Sequence, residues 1–158
     1  MNRKHIIALV SIMFISSLAV AYAAFSATLN HNVTIVRGPG LSIVRVNYTI
    51  SGNGVTNPSL SCSGSGDSWT CPSDNVWPGS LLNYSILFAN LGTADSIVTG
   101  QASSSGTAAS CSGEFSTHGS PTTTVRADQD GTLFVAVDVS TSAVIGDTCK
   151  LTVTITGT

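Results

Sequence analysis

The segment from Phe25 to Ile35 alternates strictly between two kinds of residue. Its odd positions carry Phe, Ala, Leu, His, Val and Ile, and its even positions carry only Ser, Thr and Asn. Successive side chains of a β-strand point to opposite faces of the sheet. This period of two therefore predicts a strand of about eleven residues with one dry and one polar face, nearly twice the usual length.

The same period recurs along the chain, and turns rich in Gly, Pro and Asn separate the segments. Four further segments have one apolar face: Val44, Val46, Tyr48 and Ile50; Leu82, Tyr84, Ile86 and Phe88; Leu133, Val135, Val137 and Val139; and Leu151, Val153 and Ile155. Ile97 and Val98 indicate another strand. Residues 51–75 read as a Ser- and Gly-rich excursion, and residues 101–124 as loop or sheet edge, because they hold almost no large apolar groups.

No segment after residue 24 shows a period of 3.6 residues, so helices are not expected there. The length of 158 residues suits one domain. About seven or eight strands joined by turns predict an all-β protein with a single β-sandwich, of jelly-roll or immunoglobulin-like topology.

The N-terminus has the features of an export signal. Arg3 and Lys4 precede an uncharged apolar run, which ends at the small-x-small sequence Ala-Tyr-Ala at 21–23. We expect a hydrophobic signal helix over 1–23, an opening strand over 24–36 and the sandwich domain over 41–158. A retained transmembrane anchor is the alternative, since the uncharged stretch is long enough to span a bilayer. The β-period that starts at Phe25 argues against it.

Charge excludes one class of partner. Without the signal, the chain keeps four basic residues against eight acidic ones, a net charge of −4. No basic patch is present, so we do not expect nucleic acid as a partner.

No set of residues predicts catalysis. His5 belongs to the signal, His31 lies on the dry face of the opening strand, and His118 lies in a Ser/Thr-rich loop near Glu114. Neither a Gly-x-Ser-x-Gly elbow nor a phosphate-binding glycine loop occurs. The Asp-Gln-Asp-Gly sequence at 128–131 has the spacing that opens many calcium loops, but it lacks the further ligands and fits a hairpin turn better. We expect no enzyme, no cofactor and no metal.

Four cysteines follow the signal, an even number that favours disulfides in an exported chain. Three pairings are possible. We favour Cys62–Cys71, which flanks a turn-rich loop, together with Cys111–Cys149, which would tie an irregular loop to the last strand. A four-Cys zinc site is the alternative, but the chain has no Cys-x-x-Cys pair.

Three Asn-x-Ser/Thr sequons occur, at Asn32, Asn47 and Asn83. Each asparagine alternates with the apolar positions of its strand and is therefore expected on an outward face. All three are candidate glycosylation sites in a host that glycosylates its exported proteins.

The opening strand has two possible places. It can lie in the sheet of its own domain, which is the common arrangement. Alternatively, the Gly-Pro-Gly sequence at 38–40 can act as a hinge, and the strand can join the sheet of a neighbouring subunit by strand addition. Each subunit would then both give and receive a strand, and such head-to-tail contacts build filaments when they do not close.

Three stretches carry a resemblance to a known family. The signal runs into AYAAFSATL, a Pro-Gly turn and strand lead to NLGTADS within 78–96, and the chain ends in the hydroxyl-rich strand KLTVTITGT. This layout resembles the archaeal bundling-pilus subunits and the related bacterial TasA/camelysin biofilm-fibre proteins. In that family the signal is removed, a jelly-roll domain folds, and the mature N-terminal strand inserts into the next subunit. The resemblance implies the donor residues Phe25, Ala27, Leu29, Val33 and Ile35. The two expected disulfides are a departure from many fibre proteins of this type.

We therefore expect a secreted structural subunit of an extracellular filament at the cell surface, either a pilus or a biofilm fibre. Its partners are copies of itself, and it meets a membrane only during export. Lys150 is the only lysine after the signal, which fits assembly because edge lysines commonly oppose strand pairing. Two alternatives remain open: a type IV pilin-like subunit that keeps its N-terminal helix, and a monomeric cell-surface adhesion or binding module.

Overall fold

The computed structural model describes residues 27–36, 40–52, 55–106, 111, 113–119, 121–143 and 148–158. Within them the chain is all-β and forms two sheets, as the alternation predicts. In chain order the strands are β1 (Ala27–Val36), β2 (Leu41–Gly52), β3 (Val55–Thr56), β4 (Leu60–Ser61), β5 (Ser63–Ser65), β6 (Ser68–Thr70), β7 (Asp74–Val76), β8 (Leu81–Asn90), β9 (Ser96–Gly106), β10 (Phe115–Thr117), β11 (Thr122–Val125), β12 (Gln129–Val139) and β13 (Thr148–Gly157).

The first sheet has the order β11-β9-β13-β1-β6-β5, and β7 also pairs with β1. The opening strand of the chain is thus an interior strand of this sheet. Its pairing with β13 is parallel, whereas the other described pairings of this sheet are antiparallel. First and last strands therefore run side by side in the same direction, a pairing that no hairpin can make.

The second sheet has the order β10-β12-β8-β2-β3, and β4 also pairs with β2. The alternation of β2 differs from the prediction at one residue. A β-bulge between Ile43 and Arg45 inserts Val44 as an extra residue. Because a bulge reverses the facing of the residues that follow it, Ile43 and Val46 both point inward while Val44 is 48% exposed. The prediction that Val44 shares the inner face with Val46 was wrong for this reason.

The core lies between the two sheets and holds the apolar faces predicted from the alternation. The inward series of β8, β12 and β13 are all buried: Leu82, Tyr84, Ile86, Phe88, Leu133, Val135, Val137, Val139, Leu151, Val153 and Ile155. Burial of such side chains stabilises a fold by about 1.5–3 kcal/mol each before the entropic costs. The alternation in these strands thus identified which face of each sheet is buried.

Two polar stretches contain more strand than the sequence indicated. Residues 101–106 continue β9 and pair with β13 from Gln101↔Thr154 to Gly106↔Cys149, so they are strand rather than loop. Because β11 pairs only with residues 96–99 of β9, they lie at the edge of the described sheet, as expected. Their small polar side chains give no periodic signal, but backbone pairing does not require one. Further along the same stretch, β10 and β11 are edge strands, as expected. The excursion at 51–75 holds the short strands β3 to β6.

Both disulfides that the sequence favoured are present. Cys62–Cys71 spans the β5–β6 hairpin with a Cα–Cα distance of 4.1 Å. Cys111–Cys149 joins a loop to the start of β13 at 5.6 Å. No cysteine of the described chain is free. Disulfides of this kind persist in oxidising compartments such as the cell exterior.

The predicted signal helix over 1–23 and the donor residue Phe25 lie outside the described residues. Within the part of the chain that the structure covers, no helix is long and apolar enough to cross a bilayer.

Gly100 marks a place where the two sheets approach closely. A Cβ atom added there would lie 2.6 Å from Val135 Cγ2 and 3.2 Å from Leu133 Cδ2, across the core. We expect Gly100→Ala to lower the unfolding free energy by about 1–3 kcal/mol, because overpacking forces side chains out of their rotamers. Urea denaturation measures the change. The control is Ser105→Ala, exposed on the same strand, with an expected change within about 0.5 kcal/mol; equal effects of both substitutions would contradict the assigned packing.

Candidate functional site

The opening strand β1 fills a position between two groups of strands. On one side, β13 pairs with it in register from Thr28↔Thr148 to Val36↔Thr156. On the other side, β6 and β7 pair with it, for example through Val33↔Trp69. We call the space between β13 and the β6/β7 pair the β1 slot. In the described sheet the two walls do not pair with each other, and β1 joins them.

Each wall of the β1 slot carries one disulfide. Cys149 is the Cα partner of Leu29 in the β1–β13 register, and its disulfide to Cys111 ties this wall to the loop before β10. On the opposite wall, the backbone N–H of Cys71 donates to the carbonyl oxygen of His31 at 3.0 Å. No disulfide includes a residue of β1. Each wall therefore contains a disulfide, whereas no disulfide holds β1 in place.

His31 is the polar member of the dry face of β1, and it is fully buried, as expected from its position. Its Nδ1 lies 2.8 Å from the Tyr84 hydroxyl oxygen, and its Nε2 lies 3.3 Å from Asp74 Oδ2. Tyr84 belongs to β8 of the opposite sheet, and Asp74 opens β7 beside β1. Both ring nitrogens of the imidazole thus have partners on other strands.

Tyr48 on β2 completes the group, since its hydroxyl donates to the same Asp74 Oδ2 atom. An ionised carboxylate can only accept hydrogen bonds. We therefore assign the imidazole proton to Nε2, which donates to Asp74, while Nδ1 accepts from the Tyr84 hydroxyl. His31, Tyr48, Asp74 and Tyr84 are together called the His31 cluster.

Ring contacts hold the His31 cluster together. The imidazole meets Tyr48 edge to face with ring centroids 4.5 Å apart, and it meets Tyr84 in the same manner at 5.9 Å. The two tyrosine rings are stacked at 5.8 Å. Such aromatic pairs add about 0.5–1.5 kcal/mol beyond the area that they bury. The cluster therefore links β1 both to its slot and to the opposite sheet.

The surroundings shift the proton affinities of three of these groups. Burial lowers the pKa of His31, because an imidazolium loses its hydration, and the hydrogen bond and negative charge of Asp74 only partly oppose this effect. Burial, followed by the hydrogen bond and charge of Asp74, raises the pKa of Tyr48. Burial also raises the pKa of Tyr84. At neutral pH the cluster consequently holds a neutral imidazole and two neutral phenols.

Four of the five predicted donor residues lie on the strand β1. Val33 is fully buried and belongs to the core. The backbone register places Ala27, Leu29 and Ile35 in the same strand, and Phe25 precedes the described residues. In the single chain β1 occupies its own slot.

The three sequons differ in surroundings. Asn32 lies on interior strand β1 and is half-buried. Asn47 is also half-buried, and its Oδ1 accepts a hydrogen bond from the Ser61 hydroxyl at 2.9 Å. Asn83 is exposed. Asn47 and Asn83 line a shallow depression of about 210 Å³ on the outer face of the second sheet, beside Phe134.

Other candidate ligand groups are already engaged. The Glu114 carboxylate lies 3.3 Å from Cys149 Sγ, but this sulfur belongs to a disulfide and offers no thiolate to a metal. His118 pairs with Asp138 at 2.9 Å on the surface rather than with Glu114. These groups do not form a catalytic set in the described residues.

Of the Asp-Gln-Asp-Gly sequence, only Asp128 lies in the turn before β12, and the other three residues are the first residues of that strand. Asp128 adopts a φ of 53°, a left-handed conformation that Asp tolerates in turns. The backbone N–H of Ala127 donates to Asp95 Oδ1, and that of Gln129 donates to the Arg126 carbonyl. This turn joins β11 of the first sheet to β12 of the second. The predicted hairpin turn was therefore wrong, because the two strands pair with β9 and β8 and not with each other.

Asp74 is the member of the site that the sequence did not reveal. Tyr48 and Tyr84 were assigned to apolar faces, and His31 to a packed position, but Asp74 lies in the excursion at 51–75, where no period singles it out. The only sequence signal was indirect: a buried histidine on a dry face needs a polar partner.

No protein-family model matches this chain, and no curated protein matches it either.

The lowered pKa of His31 predicts a loss of stability in mild acid. Below the ordinary value of 6.5 the unfolded chain takes up a proton that the native imidazole does not, so the unfolding free energy falls as the pH falls. For one proton the slope approaches about 1.4 kcal/mol per pH unit, until the pH reaches the lowered native pKa. Urea denaturation between pH 7.5 and 5.5 measures the slope, and His31→Asn is expected to flatten it.

The matched control is His118→Asn, since His118 is an exposed histidine that also pairs with an aspartate. It is expected to retain the slope of the unmodified chain. Equal slopes for the unmodified chain and His31→Asn would show that His31 is not the group responsible.

Proposed function

We propose that this chain is a structural subunit of an extracellular filament, a pilus or biofilm-matrix fibre, which polymerises when β1 of one subunit enters the β1 slot of the next. One observation carries the proposal: β1 is an interior strand that bears no disulfide, while both walls of its slot are braced by disulfides. The strand can leave without breaking a covalent bond, and the walls keep their covalent ties when it leaves.

The pairing of β1 supports exchange between molecules. Its neighbours β13, β6 and β7 are all distant from it in sequence, so no tight turn requires that a strand and its slot belong to one chain. Residues 37–40 form the link to β2, which lies in the other sheet. An incoming copy of β1 makes the same backbone hydrogen bonds as the resident strand, as in strand addition and domain swapping.

The short strands at the ends of the two sheets offer little surface for edge-to-edge pairing. The strands at the ends of the two sheets, β5, β11, β3 and β10, have between two and four residues in the described part of the chain. Short edges pair poorly with other chains. The β1 slot instead offers partners along nine residues of β13.

Symmetry determines what such an exchange builds. The donated strand and the accepting slot are different surfaces, so the contact is head-to-tail, and repetition without closure yields a filament. The likeness to the bundling-pilus and TasA/camelysin proteins supports the same assembly, with the two-sheet domain as a jelly-roll sandwich and residues 1–23 removed on export. Partners would be copies of this chain, outside the cell.

A monomeric adhesion or binding module is the second candidate, and two observations favour it. The single chain fills its own slot, and Phe134 is 70% exposed beside the depression on the outer face of the second sheet. An exposed ring among asparagine and hydroxyl groups is a surface that a ligand can cover. This reading requires no exchange of β1.

Cysteine pairing between molecules distinguishes the two. Asn32 and Thr152 are Cα partners across β1 and β13, and strands in register lie within disulfide reach. Isotope-labelled Asn32→Cys chains are assembled with unlabelled Thr152→Cys chains under mild oxidation. We expect a mixed disulfide between labelled and unlabelled chains, found by mass spectrometry, together with filaments in electron micrographs.

The control is the double variant Asn32→Cys/Thr152→Cys on one chain, which can close its bond within a molecule. If this variant closes internally at every protein concentration, while the mixed pair gives no product and only monomers appear, β1 stays in its own domain and the filament proposal fails.

A further inference from the structure

We propose that Tyr48, Asp74 and Tyr84 form the recognition site of the β1 slot: they select a strand that presents an imidazole at position 31, and they fix the register in which that strand enters. The partner recognised is thus a second copy of this chain. The inference rests on the proposed function, because recognition between molecules matters only if β1 is exchanged.

The β13 wall of the slot discriminates poorly between registers by itself. A shift of one residue is excluded, since it would turn the dry face of β1 to solvent. A shift of two residues keeps the dry face of β1 directed toward the core. The β13 wall then offers nearly the same surface, because its outward positions are threonines apart from Lys150 and its inward positions 151, 153 and 155 are aliphatic. Some other feature has to distinguish the native register.

His31 supplies that feature, because it interrupts an otherwise apolar series. In the native register its two nitrogens meet the Tyr84 hydroxyl and the Asp74 carboxylate. A shift of two residues would bring Leu29 or Val33 to this place, and neither side chain can form a hydrogen bond. The Tyr84 hydroxyl, which belongs to a fully buried side chain, would lose its partner, and the imidazole would move against aliphatic groups.

The chemistry of the cluster also selects the residue type. Asp74 accepts from the imidazole Nε2–H, and Tyr84 donates to the unprotonated Nδ1, so the site requires a donor and an acceptor on one flat ring. The ring also has to fit between two tyrosines at centroid distances of 4.5 and 5.9 Å. Aliphatic side chains lack both polar atoms, and a lysine offers only donors. The remaining polar atoms of the pocket are satisfied: in the described chain no buried side-chain nitrogen or oxygen lacks a hydrogen-bond partner.

Disulfide trapping measures the register directly. The acceptor chain carries Thr152→Cys, and the isotope-labelled donor chain carries a cysteine in place of Asn30, Asn32 or Thr34. Only the donor with Asn32→Cys matches the native register. The other two report shifts of two residues in either direction. Each donor is made with His31 intact and with His31→Leu.

With His31 intact, we expect the native-register product to exceed each shifted product at least about tenfold, the ratio expected from one or two lost buried hydrogen bonds. With His31→Leu, we expect the preference to fall below about threefold. His118→Leu is the matched control, since it makes the same substitution at an exposed histidine, and it is expected to keep the tenfold preference.

The outcomes separate this inference from the proposed function. If chains with intact His31 give no product between molecules in any of the three registers, the proposed function fails. If products form and His31→Leu keeps its tenfold preference for the native register, the proposed function stands and the recognition role is overturned.

A second variant covers the case in which His31→Leu donors give no product because they fold poorly. Tyr84→Phe in the acceptor removes only the hydroxyl that donates to Nδ1 and leaves the donor strand unchanged. A reduced register preference with this acceptor supports the recognition role, and an unchanged preference overturns it.

Discussion

The backbone pairing of β1 on both of its edges is the interaction on which the rest of the structure depends. This strand alone joins the β13-β9-β11 group to the β5-β6-β7 group in the first sheet. A buried N–H or carbonyl group without a partner costs as much free energy as a lost hydrogen bond, so an empty slot is costly along its whole length. Something with the shape of β1 has to occupy it, and a strand from either the same chain or a neighbour meets that requirement.

The two disulfides reduce the loss of chain entropy that accompanies formation of the β1 slot. Every strand that pairs with β1 lies far from it in sequence. Such non-local contacts form only after long loops have closed, and loop closure lowers the entropy of the chain. The Cys62–Cys71 bond restricts the hairpin at one wall and the Cys111–Cys149 bond anchors the other. Neither bond includes β1, so the walls are cross-linked covalently and the strand is not.

Apolar burial and the His31 cluster contribute different properties to the core. The aliphatic faces of β8, β12 and β13 supply most of the driving force, but they would accept several registers of an alternating strand. The cluster accepts few, since a fully satisfied polar network in a core is stabilising and a partly satisfied one is destabilising. A single histidine on the dry face of β1 therefore favours one register of this strand, which the apolar side chains beside it do not.

The sequence by itself determined the strands with clear alternation and the all-β class, because face alternation is a property of neighbouring residues. Among three possible pairings, it favoured the two disulfides that the structure contains. It also indicated that His31 is buried. The tertiary structure decided the rest. A bulge that exposes Val44 depends on the neighbouring strand, residues 101–106 form strand because β13 pairs with them, and Asp74 meets His31 across a distance of 43 residues. A period of two reports which face of a strand is buried, but it carries no information about which strand lies beside it.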